Sequence, residues 1–148
     1  MKYKKAIQFK VIMKKVVVTL LSVSIVISFI SFQQKPKFDL AASSERGKEI
    51  YLRNCVSCHM DQGEGLEGIF PPMAKSDYML ANKKRAIQQT LYGVNMEMTV
   101  NGKVYNGEMN GFDITDEEMS DLMNYIYNSF GNQGGVITPA EVKAARKK

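Results

Sequence analysis

Apolar and polar positions divide the chain into one unbroken apolar run and a series of short periodic segments. The run is Val16 to Phe32, interrupted only by Ser and Thr, and it follows a lysine-rich head. A basic head before an apolar stretch is the pattern of an export signal. Seventeen residues of helix would reach about 25 Å, the short edge of a membrane span. Residues 1–32 are therefore read as a signal peptide or an N-terminal membrane anchor through residues 16–32. Met1 and Met13 are both candidate starts, and Val26-Ile27-Ser28 and Leu40-Ala41-Ala42 are the candidate cleavage sites. Positive-inside logic places residues 38–148 across the membrane, so the expected location is the periplasm, free or tethered to the outer face of the inner membrane. Residues 33–38 form a polar linker, 39–135 a single domain, and 136–148 a short helix with a basic tail.

Within the domain the period shifts to 3.6. A first helix is predicted over 44–54, entered at Ser43 or Ser44, with Gly47, Ile50, Tyr51 and Asn54 on one face. Gly63, Gly65 and Gly68 then break the chain, followed by Phe70-Pro71-Pro72. Asp77 caps a short turn through Ala81. Asn82 caps a helix over 83–92, which Gly93 ends. Thr99, Val100 and Val104 around Asn101-Gly102 signal a small hairpin between Met98 and Tyr105. The strongest helix runs over 116–130. Thr115 with Glu118 makes a capping box, and Met119, Leu122, Met123, Ile126 and Phe130 form the apolar stripe. Thr138-Pro139-Ala140-Glu141 opens a last short helix with Thr as cap and Pro in the first turn. The prediction is all-α, with three to five helices and one minor hairpin.

Charge narrows the partners. The formal charge of the whole chain is +5, but six lysines stand in residues 1–15. Residues 38–142 hold eight basic and 15 acidic side chains, a balance of −7. That removes the electrostatic footprint of a nucleic-acid binder and favours a partner with a basic docking patch. The basic tail of Lys143, Arg146, Lys147 and Lys148 reads as a solvated terminus.

The chemistry is concentrated in Cys55-Val56-Ser57-Cys58-His59, which holds both cysteines and the one histidine of the chain. C-x-x-C-H reads as a covalent haem c attachment site. Two thiols three positions apart can form thioethers to both vinyl groups of one haem, and the next imidazole becomes the proximal iron ligand. A thioredoxin-like C-x-x-C needs a βαβ context that is missing here. A structural zinc site lacks a fourth Cys or His ligand. A Cys55–Cys58 disulfide would close a very small loop and stabilise little. With no second histidine, a methionine is expected on the distal side, an arrangement that raises the potential. Met60 adjoins the proximal histidine and cannot reach the opposite face. Met119 and Met123 read as core, and Met79 as packing in a short helix. Met96 and Met98 precede the hairpin, with Met98 a competitor. Met109 lies in a glycine-flanked loop about 50 residues past His59 and is the preferred ligand.

From Gly47 to about Arg146 the chain resembles the bacterial class I cytochromes c. It is most similar to the small cytochrome domains associated with copper nitrite reductases, cbb3-type oxidases and periplasmic dehydrogenases. The resemblance rests on Gly47, Tyr51, the Cys55–His59 motif, Gly63-x-Gly65, Phe70-Pro71-Pro72-Met73-Ala74, Asn101-Gly102-x-x-Tyr105-Asn106-Gly107-x-Met109, and Tyr125 to Asn132. It implies the class I fold around one haem c, with His59 and Met109 as iron ligands. It also implies a Pro71 carbonyl that accepts the His59 N–H, Met73 lining the pocket, and Gly47 and Tyr51 at a helix crossing near Tyr125. Two positions depart from it. Asn110 stands where a proline usually follows the ligand methionine, and Phe130 replaces a tryptophan. The implied function is one-electron transfer between redox proteins, without substrate chemistry. The competing readings are a haem enzyme or gas sensor with an open distal site, and a thiol oxidoreductase using Cys55 and Cys58.

Overall fold

The computed structural model describes residues 13–20 and 37–146. Residues 21–32 of the apolar run, linker residues 33–36 and Lys147-Lys148 lie outside the described residues, as do Met1 and the Val26-Ile27-Ser28 site. The chain divides into two units, 1–37 and 38–148. In the first, residues 13–20 are helical and exposed. Among the described residues no helix is long and apolar enough to cross a membrane.

The second unit holds six helices and four short strands among its described residues. They are α1 (Leu40–Asn54), α2 (Val56–His59), α3 (Asp77–Leu80), α4 (Lys83–Tyr92), β1 (Val94–Asn95), β2 (Met98–Val100), β3 (Lys103–Tyr105), β4 (Glu108–Met109), α5 (Asp116–Asn128) and α6 (Pro139–Ala145). α1 starts four residues before the expected position. Its cap is Asp39, which accepts from the Ala42 N–H at 3.0 Å, rather than Ser43 or Ser44. Leu40-Ala41-Ala42 are helix formers that let the helix extend back to that cap, so this cleavage candidate forms the first turn of α1. Ser43 is instead buried and donates to Asp121 at 2.6 Å. α3 is capped by Ser76 rather than Asp77. α5 ends at Asn128, two residues early, because Phe130 sits at φ 58. α4, the β2–β3 hairpin and the capping boxes of α5 and α6 form where the sequence places them.

α1 and α5 cross at Gly47. A Cβ there would lie 1.9 Å from the Asp121 carbonyl oxygen and 2.9 Å from the Tyr125 Cβ. Only glycine permits that approach. Next to the crossing, Asp121 accepts from Arg46 at 2.6 and 2.8 Å as well as from Ser43, and Asn124 bonds Ser43 and the Ile137 carbonyl. One core lies between α4, α5 and α6, around Ile87, Met119, Met123, Tyr127 and Val142. A second joins α1 to α5 through Ile50, Tyr51, Cys55, Leu122 and Ile126. Ile137, Val142 and Ala145 are buried in the first core, so the chain after residue 135 packs as part of the same unit. Arg146 in turn pairs with Asp116 at 2.5 Å.

Candidate functional site

α1 runs almost directly into the Cys55–His59 motif. The Cys55 N–H still donates to Tyr51 at 2.8 Å, and the Cys55 carbonyl accepts from His59 at 2.9 Å. The motif is thus one helical turn that places both thiols and the imidazole close together. Tyr51 braces it from behind. Its hydroxyl donates to the Met60 carbonyl at 2.6 Å, and its ring packs 5.4 Å from Tyr125 and 5.2 Å from Phe130 between centroids.

The glycine-rich loop folds back over the imidazole. The Gly65 N–H donates to His59 O at 3.1 Å, and Met73 and Ala74 donate to Gly63 O at 2.7 and 2.8 Å. This brings the Pro71 carbonyl 3.0 Å from His59 Nδ1. A carbonyl can only accept, so Nδ1 carries the proton and Nε2 is the nitrogen left for a metal. Burial pushes the His59 pKa down, against the smaller upward pull of the Pro71 bond. The ring is therefore held neutral, as a metal ligand must be.

Cys55, Cys58, His59, Pro71, Met73 and Met109 all line one cavity of about 380 Å³. Phe70, Val94, Val100, Phe112 and Ile126 make most of its wall apolar. Of the other methionines, Met79, Met98 and Met123 also reach it, whereas Met60, Met96 and Met119 do not. The polar wall groups left no sign in the sequence pattern. Tyr78 and Gln89 line the cavity and bond each other at 2.9 Å. The Arg85 guanidinium stacks 3.7 Å from the centre of the Tyr78 ring. On their helices Tyr78 and Gln89 look like ordinary surface residues, and only the long-range fold turns them onto the cavity.

The site fits a large, flat, apolar group better than its rivals. Both thiols are free. Burial, with the neighbouring Cys58 second, pushes the Cys55 thiol up to about 12, which makes it a poor nucleophile at neutral pH. Among the described residues no group of three or more His, Cys, Asp or Glu side chains is placed to hold a metal ion. Cys55, Cys58 and His59 on a mostly apolar cavity are the donor set that a thioether-bound haem requires.

A family model described as cytochrome c matches residues 44–129. The chain is similar to a cytochrome c-552 of Thermus thermophilus, 34% identical over 119 residues, covering 74% of this chain and 80% of that protein. It is also similar to the cytochrome c subunit of the quinone alcohol dehydrogenase of Gluconobacter oxydans. There it is 27% identical over 103 residues, covering 68% of this chain and 22% of that subunit.

Proposed function

We propose, from the premise that the chain belongs to the cytochrome c family and is a single-haem electron carrier, that Cys55 and Cys58 hold the haem while His59 and Met109 ligate its iron. The observation that carries this reading is the imidazole. His59 is fixed through Nδ1 by the Pro71 carbonyl at 3.0 Å, on the wall of the cavity that Cys55, Cys58 and Met109 also line.

When bound, the haem supplies the one-electron oxidation and reduction. The chain's residues do the rest. The Pro71 bond fixes the imidazole's tautomer and orientation and raises its basicity as a ligand. Phe70, Val100 and Ile126 would exclude water, and Met73 would line the pocket next to Pro71. Met109, if its thioether bound the iron together with His59, would favour the reduced state and a higher potential. Cys55 is buried while Cys58 is half-buried, so the edge held by Cys58 is the one nearer to solvent and to a partner.

The partners proposed are exported redox proteins. A dehydrogenase is one such class, given the subunit among the relatives. The working location is the periplasm, free or tethered to the outer face of the inner membrane by residues 16–32. The acidic domain would meet a partner through a basic surface.

Two methionine variants test the ligand. Met109→Leu should abolish the Met/His low-spin spectrum of the haem-loaded protein, and Met98→Leu should leave it intact. The reverse result would move the distal ligand to Met98. Tight carbon monoxide binding by the reduced wild type would favour an open distal site instead.

A further inference from the structure

Met109 is followed by Asn110, which does not restrict the backbone as a proline would. Something else must keep this segment over the cavity. The β4 strand that carries Met109 pairs antiparallel with β1, with Val94 opposite Met109 and Asn95 opposite Glu108. Just outside this pair the chain crosses itself at two glycines. A Cβ on Gly93 (φ +84) would lie 2.5 Å from the Met109 carbonyl oxygen and 3.0 Å from the Gly111 nitrogen. A Cβ on Gly111 would lie 2.4 Å from the Leu91 carbonyl oxygen, 2.8 Å from the Tyr92 carbonyl carbon and 2.9 Å from the Gly93 nitrogen. The Phe112 N–H then donates to the Thr90 carbonyl at 3.0 Å.

Every close neighbour here is backbone, which cannot swing aside as a side chain can. The neighbours on one side, Leu91 and Tyr92, end a fixed element: Ala86, Ile87 and Leu91 of α4 are buried in the core. The crossing therefore ties the Met109 strand to the C-terminal end of α4. We propose that Gly93 and Gly111 are positioning residues that hold Met109 at the distal face, in place of a stiffening proline. This rests on Met109 being the iron ligand.

The test uses the full-length, haem-loaded protein. Two readouts report on the distal bond: the far-red sulfur-to-iron charge-transfer band of the ferric form, and its affinity for added imidazole. A side chain forced into a packed crossing costs enough to raise imidazole affinity about tenfold or more in Gly111→Ala and Gly93→Ala, and to weaken the band. Far-UV circular dichroism should stay native. Gly102→Ala is the control, because Gly102 shares a positive φ (+78) but has nothing within 4 Å of its would-be Cβ. It should keep the band and the wild-type imidazole affinity.

If Met109→Ala keeps the band, the ligand assignment itself fails. If Met109→Ala loses the band while Gly111→Ala keeps both it and the wild-type imidazole affinity, the crossing has no positioning role. Should the glycine variants not fold, the exposed Asn95–Glu108 pair gives a gentler probe. Opposite charges facing across strands stabilise and like charges destabilise, by factors of about twofold to fivefold. At low salt Asn95→Lys should lower imidazole affinity and Asn95→Glu should raise it. Equal affinities for the two would overturn the proposal.

Discussion

At the scale of single residues, the two cysteines differ although the motif treats them alike. Cys55 sits under α1 beside Ile50 and Leu122, where burial pushes its thiol up to about 12. Cys58 is more exposed. Thiolate is the reactive form, so a chain without haem should be alkylated at Cys58 well before Cys55. Mass spectrometry of a partial iodoacetamide reaction would show which thiol is modified first, and equal rates would contradict this burial. The attachment residues were legible in the sequence because their chemistry is contiguous: five consecutive residues define the turn. Pro71 and Met73 could be named only through the family resemblance. Their roles depend on Gly63 accepting two hydrogen bonds that fold the loop back, which no local pattern encodes. Tyr78 and Gln89 were not legible, since a polar residue facing a cavity looks like one facing water.

At the scale of elements, local signals were read correctly where the energetics are local. The boxes Thr115–Glu118 and Thr138–Glu141 form as the residue types predict. Each carboxylate accepts from the backbone N–H and then the hydroxyl of its threonine, and so is held below its ordinary value of 4.5. A carboxylate with a depressed folded pKa stabilises the fold above its unfolded pKa and loses that contribution as pH falls through the folded value. Glu118→Ala should therefore be less stable than wild type at neutral pH, and the gap should close in acid. Urea midpoints at several pH values would show this, and a gap that widens below pH 4.5 would refute it. Signals that depend on distant chain were missed. Asp39 outcompeted Ser43 as the α1 cap because Ser43 is bonded to Asp121, 78 residues away. The β1–β4 pair has two residues per strand, too few for any alternation to register. Yet that pair and the Gly93–Gly111 crossing position the loop on which the distal ligand depends.

At the scale of the whole molecule, the cofactor acts as core. The cavity it would occupy measures about 380 Å³ and separates Cys55 and Ile126 from the β2–β3 hairpin. Its wall is mostly apolar, and without the cofactor that surface is left to water, at roughly 25 cal/mol per Å². A domain of this size has a total stability of about 5–15 kcal/mol. Wetting that wall draws on this margin, so the haem-free chain should lose the cavity side of the fold and keep the α1–α5 side, on which Cys55 packs beside Ile50 and Leu122. The loss should be uneven. The α1–α5 crossing at Gly47 and the Asp121 network do not touch the cavity, whereas the β2–β3 hairpin lies across it and lends it Met98, Val100 and Tyr105. A Cys55→Ser, Cys58→Ser variant made without haem should melt broadly rather than cooperatively. Hydrogen exchange should show residual protection in α1 and α5 and none in the hairpin from Met98 to Tyr105. A sharp melting transition with protection across both regions would show that the polypeptide supports its own core, and would confine the haem to electron transfer.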